Sequence, residues 1–170
     1  MAEIDPIFVK LDTLIYMSRL NQLAVMMSTE RSERILKIRA ALKQLRPGAY
    51  LLGTGPSTVG IIPLTVDEVV IGRYATLLEQ PPEILVDYAI NDTMYFTPFE
   101  VSKAHARVVR HKTASGYQYE MLDIGSTCGT YVNGKNITGS DQKCILEHGD
   151  VISLGPSQTS TYIFFQADAA

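Results

Sequence analysis

The sequence predicts a mainly β protein, an antiparallel β-sandwich preceded by an N-terminal α-helical hairpin. Three observations predict this. Residues 5–46 carry apolar side chains at helical spacing between capping signals. After Pro47-Gly48 the texture changes to short apolar or alternating runs separated by Gly, Pro, Asn and Asp. With 170 residues, 46% of them hydrophobic and 19% charged, the chain can bury one core of ordinary size without staples. The expected division is a helical extension over 1–46 and a sandwich domain over 47–170.

Asp5-Pro6 suits a helix start, since Asp caps and Pro fits the first helical position. From Ile7 to Met27, 14 of 21 positions are apolar, more than one packing face uses. Ser28-Thr29 is placed to cap a second helix, with Glu30 and Glu33 favoured by the dipole in its first turn. The pairs Glu30/Arg34 and Glu33/Lys37 have the stabilising i,i+4 order. Ile35, Ile38, Leu42 and Leu45 form a narrow stripe, and Pro47-Gly48 ends the helix. An αα-hairpin is expected, with one long bent helix as the alternative. The surplus apolar surface points to docking or to a homodimer through these helices.

Strands are expected over 49–52, 60–64, 68–71, 104–109, 117–122, 130–132, 144–146, 151–154 and 161–165. Residues 74–100 resist assignment apart from a strand around 84–90. The glycine-rich run 53–60 lacks the Lys-Ser/Thr of a P-loop and reads as a hairpin loop.

Composition excludes several classes. The net charge of −3 is wrong for a general nucleic-acid binder. It divides into +3 over residues 1–46 and −6 over 47–170. Cys128 and Cys144 are too few for a disulfide framework, and the spacing of His105, His111, His148 and the cysteines is not that of a zinc site. The acidic start is unlike a secretory signal, and no long uncharged apolar run is present. A cytoplasmic protein with no membrane contact, no cofactor and no metal is expected.

Three short pieces carry a functional signal. Val70-Ile71-Gly72-Arg73 is a strand ending in Gly-Arg. Val101-Ser102-Lys103-Ala104-His105-Ala106 is a loop entering a strand. Asp123-Ile124-Gly125-Ser126-Thr127-Cys128-Gly129-Thr130-Tyr131-Val132-Asn133-Gly134 joins two strands, and Gly149-Asp150-Val151-Ile152-Ser153-Leu154-Gly155 follows. Arg73 offers the planar paired donors that suit a phosphate, Ser102 and Thr127 add hydroxyls, and Lys103 adds a point charge. Loops from one end of a sandwich can bring these four side chains to one anion. A phosphoryl group, with about −1.5 to −2 charge and three acceptor oxygens, is the matching ligand.

In this order and spacing the pieces resemble the forkhead-associated (FHA) domain, a phosphothreonine-peptide-binding β-sandwich, from about Gly48 to about Gln166. The resemblance implies that Arg73, Ser102 and Thr127 contact phosphate with help from Lys103. It implies that His105 buttresses the loops and that Gly72, Gly129, Asn133 and Gly134 shape turns. The partner implied is a phosphothreonine-containing protein, a substrate of a Ser/Thr kinase, and the role is that of a signalling adaptor rather than an enzyme. Two departures stand out. The family commonly has an Asn, whose amide holds the peptide backbone, where this chain has Cys128. In addition, 28 residues separate Arg73 from Ser102, more than the family usually places there.

Plainer readings compete with these. Arg73 can simply pair with a carboxylate, and Lys103 can be a solvated lysine. Cys128, His105 and Asp123 invite a nucleophile story that one family-like loop already explains. The basic run Arg107, Arg110, His111 and Lys112 reads as a solvated strand face. The alternative to phosphopeptide binding is an FHA-fold structural subunit that assembles with other proteins without phosphate.

Overall fold

The computed structural model describes residues 30–54, 57–58, 60–73, 75, 78–90, 99–139 and 143–167. The chain divides into two compact units, 1–45 and 46–170.

The first unit contributes one described helix, α1 (Arg31–Leu42). It starts at Glu30, whose side chain makes no capping hydrogen bond. Glu33 and Lys37 pair at 2.7 Å as the i,i+4 order predicts. The helix closes in tight i+3 bonds, Gln44 N–H to the Ala41 carbonyl and Leu45 N–H to that of Leu42. The first expected helix, over 5–27, and its Ser28-Thr29 cap lie outside the described residues. The described residues thus hold one twelve-residue helix and no hairpin, and give the homodimer no support.

Among the described residues of the second unit, eleven strands form two sheets. They are β1 (Gly48–Gly53), β2 (Gly60–Pro63), β3 (Glu68–Arg73), β4 (Tyr88–Ile90), β5 (Ala106–Thr113), β6 (Gly116–Asp123), β7 (Thr130–Val132), β8 (Lys135–Asn136), β9 (Cys144–Ile145), β10 (Val151–Leu154) and β11 (Thr161–Ala167). One sheet has the order β2-β1-β11-β10-β7-β8 and the other β4-β3-β5-β6-β9. The runs read from the sequence appear as strands. The two-residue β8 was not legible. The expected sandwich is corrected in one respect: β4 runs parallel to β3, so the second sheet is mixed rather than antiparallel. The long connection before β4 returns the chain to the same end, which a tight hairpin never does.

The core lies between the sheets because alternate side chains of each strand point inward. Leu51, Ile152, Leu154 and Phe164 from one sheet are fully buried with Ile71 and Met121 from the other. Tyr119 and Phe164 join the two layers, ring centroids 5.4 Å apart. Burying each such side chain stabilises by about 1.5–3 kcal/mol. The 53–60 segment closes the β1–β2 hairpin, with Gly53 opposite Gly60. A Cβ on Gly53 would collide with the Thr58 carbonyl, so the glycine there serves a close backbone approach and not a phosphate.

Register decides which loops meet. Ile71 pairs with Ala106, and Ala106 with Asp123. The end of β3, the entry to β5 and the exit of β6 therefore share one pole.

Candidate functional site

Backbone hydrogen bonds tie these three connections together. Arg73 N–H donates to the Ser102 carbonyl at 2.9 Å, His105 N–H to Ile71 at 3.0 Å and Ile124 N–H to His105 at 3.1 Å. Gly72 permits the first contact, since a Cβ there would lie 1.8 Å from the Lys103 carbonyl oxygen. Ser102 Oγ accepts from Thr127 N–H at 3.0 Å and lies 3.4 Å from Thr127 Oγ1. Arg73, Ser102, Lys103 and Thr127 are thus carried by connections that touch one another.

Arg73 is held firmly. Its Nε donates to the Val101 carbonyl at 3.0 Å and its guanidinium stands 5.4 Å from the Phe99 ring centroid. Both terminal nitrogens donate to one carboxylate, that of Glu79, at 2.9 Å each. Lys103 Nζ donates to the Gln80 carbonyl at 2.8 Å. Both cations therefore have anionic or carbonyl partners supplied by consecutive residues. Sequence reasoning missed Glu79 because it lies in the unassigned 74–100 stretch, where no pattern marks one acid among several.

His105 is fully buried and braces the pole. Its Nδ1 accepts from Ser102 N–H at 3.0 Å, and its Nε2 lies 3.0 Å from the Gly129 carbonyl. The network assigns the proton to Nε2. Both ring nitrogens are occupied by backbone, so neither serves as a general base for Cys128. Gly129 adopts φ +87°, and its carbonyl also accepts from Gly155 N–H.

The 124–129 loop is shaped by Asp123, a role the sequence did not disclose. Its carboxylate accepts from Gly125 N–H, Ser126 N–H, the Ser126 hydroxyl and the Thr130 hydroxyl. Asn133 sits elsewhere. It lies beyond β7 at φ +51°, its amide bonded to Asp150 and Val151 N–H, where it stabilises a turn without reaching the pole. Cys128 is partly exposed beside Thr127, at the position the resemblance assigns to the backbone clamp.

The basic run on β5 faces acids: Arg107 pairs with Glu68, Arg110 with Asp67 and His111 with Glu120. A separate concavity of about 440 Å³ is lined by Tyr131, Asn133, Val151, Gln158 and neighbours, with no charged side chain to attract an anion. Among the described residues no group of His, Cys, Asp and Glu is arranged to hold a metal, and no helix is long and apolar enough to cross a membrane.

Two groups at the pole make stability depend on pH. Burial pushes the His105 pKa below its ordinary 6.5, outweighing the opposing pulls of the Gly129 carbonyl, Asp123 and Glu100. The unfolded chain then binds the proton at higher pH than the fold does. This contribution is complete above about pH 6.5 and declines as pH falls toward the folded value. Burial alone would push Asp123 upward, but its hydrogen bonds from Ser126, Thr130 and Gly125 prevail and lower its pKa. Its contribution holds above about pH 4 and is lost as pH falls through the folded value. Urea midpoints should therefore drop between about pH 7 and about pH 5.5, and that drop should flatten in His105→Gln while the loss in stronger acid persists.

The fold is a two-sheet β-sandwich whose strand register gathers at one pole the connections that carry an arginine, a lysine and two hydroxyls. Comparison with known families matches the FHA domain over residues 69–155, and the chain belongs to that family. Among curated relatives, the mouse angiogenic factor with G patch and FHA domains 1 is 43% identical over 67 residues, 37% of this chain. The chain matches only 9% of that protein's length. Among solved structures, the yeast Pml1 splicing factor, described with its integration into the RES complex, aligns at TM-score 0.58 and 19% identity over 73% of this chain and 83% of that one. The MEK1 FHA domain in complex with a HOP1 phosphothreonine peptide aligns at TM-score 0.50 and 21% identity over 72% of this chain and all (100%) of that one.

Proposed function

We propose that this chain is a phosphothreonine-peptide-binding module that takes the phosphate at the pole formed by Arg73, Ser102, Lys103 and Thr127. The single observation that carries the reading is the hydrogen-bonded meeting of the three connections that bear the Arg73 guanidinium and the Ser102 and Thr127 hydroxyls. Charge-assisted hydrogen bonds contribute about 1.5–3 kcal/mol each, so two or three account for about a hundredfold or greater preference for the phosphorylated form. The MEK1 complex with a phosphothreonine peptide, on the same fold, supports the reading. No catalytic step is assigned. The adaptor role, signal transduction and cytoplasmic residence belong to the same proposal.

The test is a titration of a degenerate phosphothreonine peptide pool against its unphosphorylated twin. A clear preference for the phosphorylated pool is expected, and equal affinities would end the proposal. Cys128→Asn should tighten phosphopeptide binding severalfold, by about 1 kcal/mol, because an amide offers donors and an acceptor where the thiol offers weak ones. Isothermal titration of the two proteins with the same pool checks this.

Two observations favour the other reading, a structural subunit. Arg73 has a carboxylate partner within the chain, and the yeast Pml1 neighbour is described within an assembly. That reading expects no phosphate dependence and an unchanged assembly partner after Arg73 is replaced.

A further inference from the structure

We propose that Glu79 is an internal competitor for the phosphate site, a carboxylate that occupies the Arg73 fork until a phosphoryl group displaces it. The inference rests on the phosphothreonine reading above and deepens it. Two contacts carry it. Glu79 accepts from both terminal nitrogens of Arg73 at 2.9 Å, the bidentate geometry that two phosphate oxygens adopt on a guanidinium. The next residue, Gln80, places its carbonyl 2.8 Å from Lys103 Nζ. Consecutive residues of one segment therefore engage both cations of the proposed site.

The segment is built to leave. Leu78 is 99% exposed, and Gln80, Pro81, Glu83, Ile84 and Leu85 are also exposed, so it lifts without opening the core. Its far end is anchored. Asp87 N–H donates to the Val70 carbonyl and its carboxylate accepts from Val70 N–H, both bonds leading into the β3–β4 pairing. Arg73, by contrast, is only 10% exposed and stays in place through Val101 and Phe99. The moving part is thus the acid and the fixed part is the cation.

The exchange has a defined direction. A tethered carboxylate acts at an effective concentration of about millimolar or above, so weak anions do not displace it. A phosphoryl group brings about −1.5 to −2 charge and three acceptor oxygens, enough to take the fork together with the Ser102 and Thr127 hydroxyls. Glu79 lowers the apparent affinity of every ligand by the fraction of time it occupies Arg73.

The experiment uses the full chain and a degenerate phosphothreonine peptide pool with its unphosphorylated twin. Glu79→Gln should bind the phosphorylated pool about tenfold more tightly than wild type. Glu83→Gln, the same charge change on the same exposed segment, should leave affinity unchanged. Hydrogen exchange over 78–86 should rise in Glu79→Gln without ligand, and in wild type when the phosphorylated pool is added. Equal affinities of wild type and Glu79→Gln, with phosphate preference intact in both, would overturn the competitor and leave the binding site standing. Loss of the preference in both would instead overturn the binding reading, and unchanged exchange over 78–86 in Glu79→Gln would separately overturn the competitor.

Discussion

Arg73→Ala should erase the difference between phosphorylated and unphosphorylated peptides, a loss of about a hundredfold in the ratio of their dissociation constants. The reason is geometric as well as electrostatic. The sandwich domain carries a net charge of −6, so its overall field repels an incoming phosphate and a local positive focus is needed. Arg73 provides that focus as a fork, fixed by the Val101 carbonyl on one side and by Phe99 across its face. Arg73→Lys keeps the charge but loses the paired donors, so it should recover only part of the preference. Fluorescence polarisation of the two peptide pools measures the ratio, and thermal melts of each variant confirm that the fold persists. A preference surviving in Arg73→Ala would remove the guanidinium from the mechanism.

His105→Leu should destabilise the sandwich domain by about 2–4 kcal/mol, measured by urea unfolding. The imidazole is fully buried and bridges two connections, accepting from Ser102 N–H and donating to the Gly129 carbonyl. Leucine has similar bulk but leaves Ser102 N–H without its acceptor and takes one of two donors from the Gly129 carbonyl, which keeps that of Gly155, and the unmet desolvation cost is the main loss. Because Ser102 also receives Thr127 N–H on its hydroxyl, the damage should spread to the ligand pole. Phosphopeptide affinity should fall along with stability in this variant. A stable His105→Leu protein with full affinity would reduce the histidine to packing.

Much of this protein was legible from local pattern. Strand β10 is a short, mostly apolar run, Val151, Ile152, Ser153 and Leu154, bounded by Gly149-Asp150 and Gly155, and a strand is the result. The Asp123–Gly134 motif announced a loop, because glycines at φ +88° and +87° and a carboxylate followed by small hydroxyl residues have few other uses. The basic run lies on strand β5 as read, but it is not simply solvated: Arg107 and Arg110 pair with Glu68 and Asp67, and His111 shares a hydrogen bond with Glu120. What failed was whatever depended on distant partners. A strand was expected around 84–90, but the parallel pairing of β4 was missed because a three-residue strand carries no sign of which neighbour it will join. The twofold service of Asp123, as a ligand for loop amides and for the Thr130 hydroxyl, depends on a fold-back no periodicity encodes.

The residue types at Arg73, Ser102, Lys103 and Thr127, and their order along the chain, are properties of the sequence and are the basis on which an anion site is proposed on the sandwich. Their meeting at one pole follows from strand register, which pairs Ile71 with Ala106 and Ala106 with Asp123. The partner that Arg73 holds in the folded chain is a matter of three-dimensional reach. Glu79 meets the guanidinium in the folded chain, and Coulomb attraction acts between charges close in space, whatever their separation in sequence.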